Sequence, residues 1–110
     1  MPLVYILCPE SSVKGKVSGH LKDIQTAIAK ALSCTESKPS PDDIRIRGIH
    51  LDFNSKIAQI EIDIFAYDFK ERVEREDEIA EEIENQIIKI VGYSDVKVFP
   101  IFCKIGHSKK

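Results

Sequence analysis

The feature that most constrains this chain is the order in which its hydrophobic periodicity changes: strand, helix, strand, and then strand, helix, strand again. Pro2 to Cys8 is an apolar run bounded by Pro9, and its length and its Val, Tyr and Ile content are those of a strand buried on both faces. From Lys14 the pattern turns helical, with Val17, Leu21, Ile24, Ile28 and Leu32 along one face, although Gly15 and Gly19 weaken the first turns. Ser33 to Asp43, with Pro39 and Pro41 inside it, reads as a loop. Ile44 and Ile46 then alternate with Arg45 and Arg47, which starts a second strand with both arginines on one face. After Gly48 the apolar positions become Ile49, Leu51 and Phe53, and a glycine at such a phase change predicts a bulge.

The second half repeats the order. Ile57 to Tyr67 reads as a third strand, with Ile60, Ile62 and Ile64 on one face and Glu61, Asp63, Phe65 and Tyr67 on the other. A helix follows from about Glu71 to Val91, its stripe carried by Val73, Ala80, Ile83, Ile87, Ile90 and Val91, and Gly92 stops it. Val96 to Cys103 reads as a fourth strand, in which Pro100 lacks the ladder donor and so calls for an edge position or a bulge. The polar tail from Gly106 to Lys110 reads as frayed.

Right-handed crossovers make the two strands of each unit parallel and lay both helices on one face of a single four-stranded sheet. The expected fold is therefore α+β, a two-layer sandwich with a mixed sheet, formed by one domain over residues 1–110 with a pseudo-repeat of 1–53 and 57–103. Two strand orders satisfy the pattern. The link at Asn54 to Lys56 is short, which suits a ferredoxin-like sheet with the second strand paired to the third. A link of that length also spans the roughly 10 Å needed to pass over one strand and pair the third with the first. In either order the other sheet face, carrying Glu61, Asp63, the arginines, Phe65 and Tyr67, is uncovered and invites oligomer formation. A chain this small has little interior for a deep pocket, so a site shared between subunits is expected.

Charge and composition narrow the function classes. With 16 Lys+Arg against 18 Asp+Glu the net charge is −2, so no basic field exists to hold a nucleic acid. Residues 68–84 hold nine acids and three bases, an acidic start to the second helix that the helix dipole favours. No apolar run approaches the roughly 20 residues that cross a bilayer, and no signal peptide is visible, so neither membrane nor export is expected. Cys8, Cys34 and Cys103 are odd in number and widely spaced, which fits reduced cysteines in the cytoplasm and neither a disulfide framework nor a zinc site. His20, His50 and His107 form no metal-ligand spacing, and no G-x-S-x-G, P-loop or G-x-G-x-x-G occurs. No metal or other cofactor is expected.

What remains is the amino terminus. Removal of Met1 before the small residue Pro2 would leave a secondary amine at the head of a strand. An α-amino group titrates near 7.7–8.0, and apolar surroundings beside cations lower that value, so such an amine is placed to act as a general base. The sequence M-P-L-V-Y-I, an amphipathic helix, and a strand with arginine in D-I-R-I-R together resemble the tautomerase superfamily. The second half, with I-E-I-D-I-F, E-D-E-I-A-E-E-I-E-N-Q-I and D-V-K-V-F, looks like an uncharacterised tautomerase-like branch, in the two-unit form of macrophage migration inhibitory factor. The resemblance implies a homotrimer that catalyses enol-keto proton transfer on a small keto or enol acid. It implies Pro2 as the base and Arg45 as a carboxylate binder, which suits a guanidinium's paired donors. Lys14, Arg47 and Phe102 would be further substrate contacts. The other reading open at this point is a non-catalytic ferredoxin-like module that binds a ligand or dimerises through its uncovered sheet face.

Overall fold

The computed structural model describes residues 2–49 and 58–104. Four strands, β1 (Leu3–Leu7), β2 (Arg45–Ile49), β3 (Ile60–Tyr67) and β4 (Val96–Cys103), form one sheet in the order β2-β1-β3-β4. β1 runs parallel to β2, β3 runs parallel to β4, and the two units meet where β1 and β3 pair antiparallel. Because the third strand pairs with the first and not the second, the ferredoxin-like order is excluded, and the tautomerase-like α+β arrangement is the one adopted. The Asn54 to Lys56 link, Leu51, Phe53, Ile57 and the Gly106 to Lys110 tail lie outside the described residues.

Alternation along the strands builds the two faces. Ile60, Ile62, Ile64 and Ala66 of β3 are buried under the helices, whereas Glu61, Asp63 and Phe65 are half-buried on the open face. Val4 and Ile6 of β1 and Val96 and Val98 of β4 complete the covered face. β4 lies at a sheet edge, which accommodates Pro100 without a bulge: pairing with β3 is continuous from Val96 to Cys103. Val98, of the same parity as Pro100, gives its N–H to Glu84 Oε2 at 3.2 Å.

Both helices are interrupted where the sequence reading had them continuous. The first is α1 (Ser11–Ser18) followed by α2 (Leu21–Leu32), so it starts before Lys14 and breaks at Gly19 and His20. Two glycines four residues apart leave that turn too weak to carry the helix through. Val13 joins Val17, Ile24 and Ile28 in the core, while Leu21 is 39% exposed. In the second half, α3 (Lys70–Glu74) and α4 (Glu76–Val91) part at Arg75, whose φ of −108° and ψ of 19° leave the helical region. That offset changes the buried face. Ile79, Ile83, Ile87 and Val91 recur every four residues and are buried, and Val73 is 49% exposed. Gly92 ends α4 with φ +84°, a left-handed conformation that favours glycine, and returns its N–H to Ile88 O at 2.9 Å.

The expected bulge at Gly48 is absent. Registration of β2 on β1 is continuous from Leu3↔Arg45 to Leu7↔Ile49. The apparent phase change arises because Gly48 occupies a covered-face position and leaves it empty, while Ile49 belongs to the open face with Leu7.

Candidate active site at the head of the first strand

The strand directions gather four chain segments at one end of the sheet: the starts of β1 and β2 and the ends of β3 and β4. Pro2 is buried there, one residue before β1, and its carbonyl accepts the Arg45 N–H at 3.1 Å. Pairing of Leu3 with Phe65 sets Pro2 beside Ala66, whose partner on β4 is Phe102. Phe102 is half-buried and packs against the core. Pro2, Arg45 and Phe102 are thus brought to one end of the sheet, Pro2 and Phe102 at helix-covered positions and Arg45 at an open-face position.

The other two predicted residues stand elsewhere. Arg47 is exposed opposite Tyr5, on the open face with Arg45. Lys14 lies in α1, whose charge bears on Cys8 beyond the far end of β1. The five residues of β1 separate Pro2 from Cys8, six steps and about 20 Å at roughly 3.3 Å per step, so Lys14 and Pro2 do not share a site within one protomer.

Sequence reasoning missed Arg72. It is 3% exposed and is the one buried charged side chain among the described residues. Its Nε donates to Leu32 O at 2.9 Å, Nη1 to Tyr67 O at 3.2 Å and Nη2 to Ser37 Oγ at 3.4 Å, and its guanidinium lies 5.0 Å from the centroid of the Phe69 ring. The Phe69 ring in turn packs on Tyr67 at 4.8 Å. Burial pushes the guanidinium's pKa down, because loss of water disfavours the charged form. Next to it, Glu71 Oε1 accepts the Thr35 N–H at 2.8 Å, and its hydrogen bonds from Thr35 hold that carboxyl below its usual value. Arg72 and Glu71 therefore pin the chain that leaves α2 to the end of β3. That chain leads through a capped turn at Pro41–Asp43 into Arg45. The one signal for this in the sequence is Phe69-x-x-Arg72, an aromatic and a cation one helical turn apart.

The open face carries apolar and aromatic side chains, with the carboxyl of Asp63 between Tyr5 and Phe99. Tyr5 packs edge-on against Phe65 at 5.7 Å, and Phe99, Ile101 and Tyr67 are exposed. Asp63 sits among them, its carboxyl pKa raised by burial first and by Glu61 second. No group of three or more His, Cys, Asp or Glu side chains is placed to hold a metal ion among the described residues. No described helix is long and apolar enough to cross a membrane.

No protein-family model matches the sequence, and no curated protein matches it. Solved structures do. The chain is similar to a fused 4-OT wild-type asymmetric trimer at a TM-score of 0.67 and 8% identity, over 92% of this chain and 85% of that one. It is similar to macrophage migration inhibitory factor of Toxoplasma gondii at 0.56 and 17% identity, over 92% and 89% of the two chains. A domain of unknown function from Sebaldella termitidis matches at 0.54 and 18% identity, over 94% and 89%. At such identities the likeness is one of fold alone, a four-stranded mixed sheet with helices packed on it in the tautomerase-like α+β arrangement.

Proposed function

We propose that this chain is a tautomerase-like isomerase in which Pro2, freed of Met1, moves a proton between oxygen and carbon of a small carboxylate-bearing enol. The observation that carries this reading is the placement of Pro2, buried at the head of β1 and bonded through its carbonyl to the backbone of Arg45. The secondary amine takes the enol O–H proton, the C–O bond becomes C=O, and the ammonium returns a proton to the neighbouring carbon as C=C becomes C–C. The amine ends as it began, so no other reactant is required. Arg45, reaching round the head of the sheet from the open face, holds the carboxylate with two parallel donors, a fork that lysine does not offer. Phe102 forms an apolar wall, and Arg47 adds positive charge at the rim. Lys14 takes no part in this site within one protomer.

The same reading makes the protein a homotrimer in the cytoplasm. Tyr67, Phe99 and Ile101 are 38%, 47% and 39% exposed on the open sheet face, and copies of the chain would cover them. The fused 4-OT relatives are themselves described as trimers.

The test is conversion of phenylenolpyruvate to its keto form by untagged protein whose loss of Met1 is verified by mass. Replacement of Pro2 by Ala should abolish the rate. Arg45→Ala should raise KM for the carboxylate while leaving the neutral amide of the substrate unaffected. A rate equal in wild type and Pro2→Ala overturns the proposal.

A further inference from the structure

The opposite end of β1 holds a cavity that the proposed chemistry does not use. Ile6 and Ile46 form its floor, α1 and the start of α2 cover it with Val17 and Leu21, Cys8 closes one end, and the volume is about 280 Å³. The cavity exists because of Gly48, which pairs with Ile6 and lies on the helix-covered face. Among the described residues every other strand position on that face carries a side chain, yet a Cβ built on Gly48 meets nothing within 4 Å. The backbone does not require glycine there, since Gly92 is the one described glycine with positive φ. Lys14 lines the same space and makes no ion pair with any described residue. Among the described residues no acidic side chain lines it. Burial raises the Cys8 thiol's pKa against the opposing charge of Lys14, and Lys14 is the one charged side chain among the described lining residues.

We infer that this cavity is a binding site for a small apolar monocarboxylate, its body on Ile6, Val17 and Ile46 over Gly48 and its carboxylate on Lys14. At about 30 Å³ per molecule of liquid water the cavity holds roughly nine such volumes, the size of a single ring with a short acid arm. A single cation among the described lining residues, set against apolar walls, selects a singly charged ligand, because a second charge would be desolvated without a partner. The site lies about 20 Å along β1 from Pro2 and so stands or falls independently of the chemistry proposed there.

The test is an amide chemical-shift titration of the full chain with phenylacetate and with the neutral phenylacetamide. Saturable shifts at Cys8, Lys14 and Gly48 are expected, with the amide binding about tenfold more weakly for loss of the charged contact. Gly48→Val, which fills the space and suits a strand, should abolish them, with folding verified by the unchanged spectrum of the α4 amides. Lys14→Met, at an exposed position, should reduce phenylacetate binding to the level of the amide. Absence of saturable shifts, shifts centred on Arg45 and Phe102, equal binding of acid and amide, or unchanged binding in Gly48→Val would each overturn the assignment.

Discussion

Replacing Arg72 by Met removes the guanidinium and keeps an unbranched apolar stem of similar length, which isolates what the buried cation does. In the structure it satisfies Leu32 O and Tyr67 O, reaches Ser37 Oγ at a long 3.4 Å, and stacks on Phe69. Two good hydrogen bonds from a charged donor are worth about 1.5 kcal/mol each at the low end, and the ring contact adds about 1 kcal/mol. The third bond is too long to count. Relief from burying a charge offsets part of this, leaving a net cost of about 3 kcal/mol once two orphaned carbonyls are included. For a domain of this size that corresponds to a Tm lower by roughly 12 °C or more. Urea unfolding followed by circular dichroism should show a reduced midpoint at constant slope, and Arg72→Lys should recover little, because a point charge cannot serve acceptors arranged around a fork. An Arg72→Met variant within about 0.5 kcal/mol of wild type would refute the argument that Arg72 joins α2, β3 and α3.

Other perturbations follow from the same geometry. Ile79→Ala should cost about 2–5 kcal/mol, whereas Val73→Ala should stay within about 0.5 kcal/mol, and thermal melts that reverse this order would place the phase of the second helix as the sequence alone had it. Gly92→Ala forces a Cβ into the left-handed region and should destabilise by about 1 kcal/mol in the same assay. Asp63 has a raised folded pKa, so the native state holds its proton more tightly than the unfolded chain, and its contribution to stability falls as pH rises through the carboxylate range. Asp63→Asn should therefore flatten the dependence of the urea midpoint on pH between about 4 and 7 and leave the variant at least as stable as wild type at neutral pH; a lower neutral midpoint would contradict this.

Element order was legible in the sequence because period-2 and helical patterns alternate cleanly, and β3 illustrates it: Ile60, Ile62 and Ile64 point to the core as their spacing required. Strand order was not, since pattern alone leaves open whether the third strand pairs with the first or the second. The helix breaks at Gly19 and Arg75 were also hidden. A stripe read across a break acquires members such as Val73 and loses others such as Ile79, because each break rotates the face that follows. Pro2 and Arg45 were visible as residue types at the heads of two strands, and parallel pairing of β1 with β2 sets Arg45 opposite Leu3, next to Pro2 in the chain. Lys14 stands away from Pro2 within one protomer, because proximity in sequence to the first strand says nothing about which end of that strand a helix returns over. Arg72 lay within an acidic stretch that reads as a solvated helix start, and its burial depends on acceptors at Leu32, Ser37 and Tyr67 that no local pattern announces.

The most direct test of Pro2 as the base is to measure the phenylenolpyruvate rate against the fraction of chains that have lost Met1, varied by timed treatment with methionine aminopeptidase and read by intact mass. The account predicts a rate proportional to the fraction with a free Pro2 amine and vanishing when that fraction is zero. A rate independent of Met1 removal would contradict it.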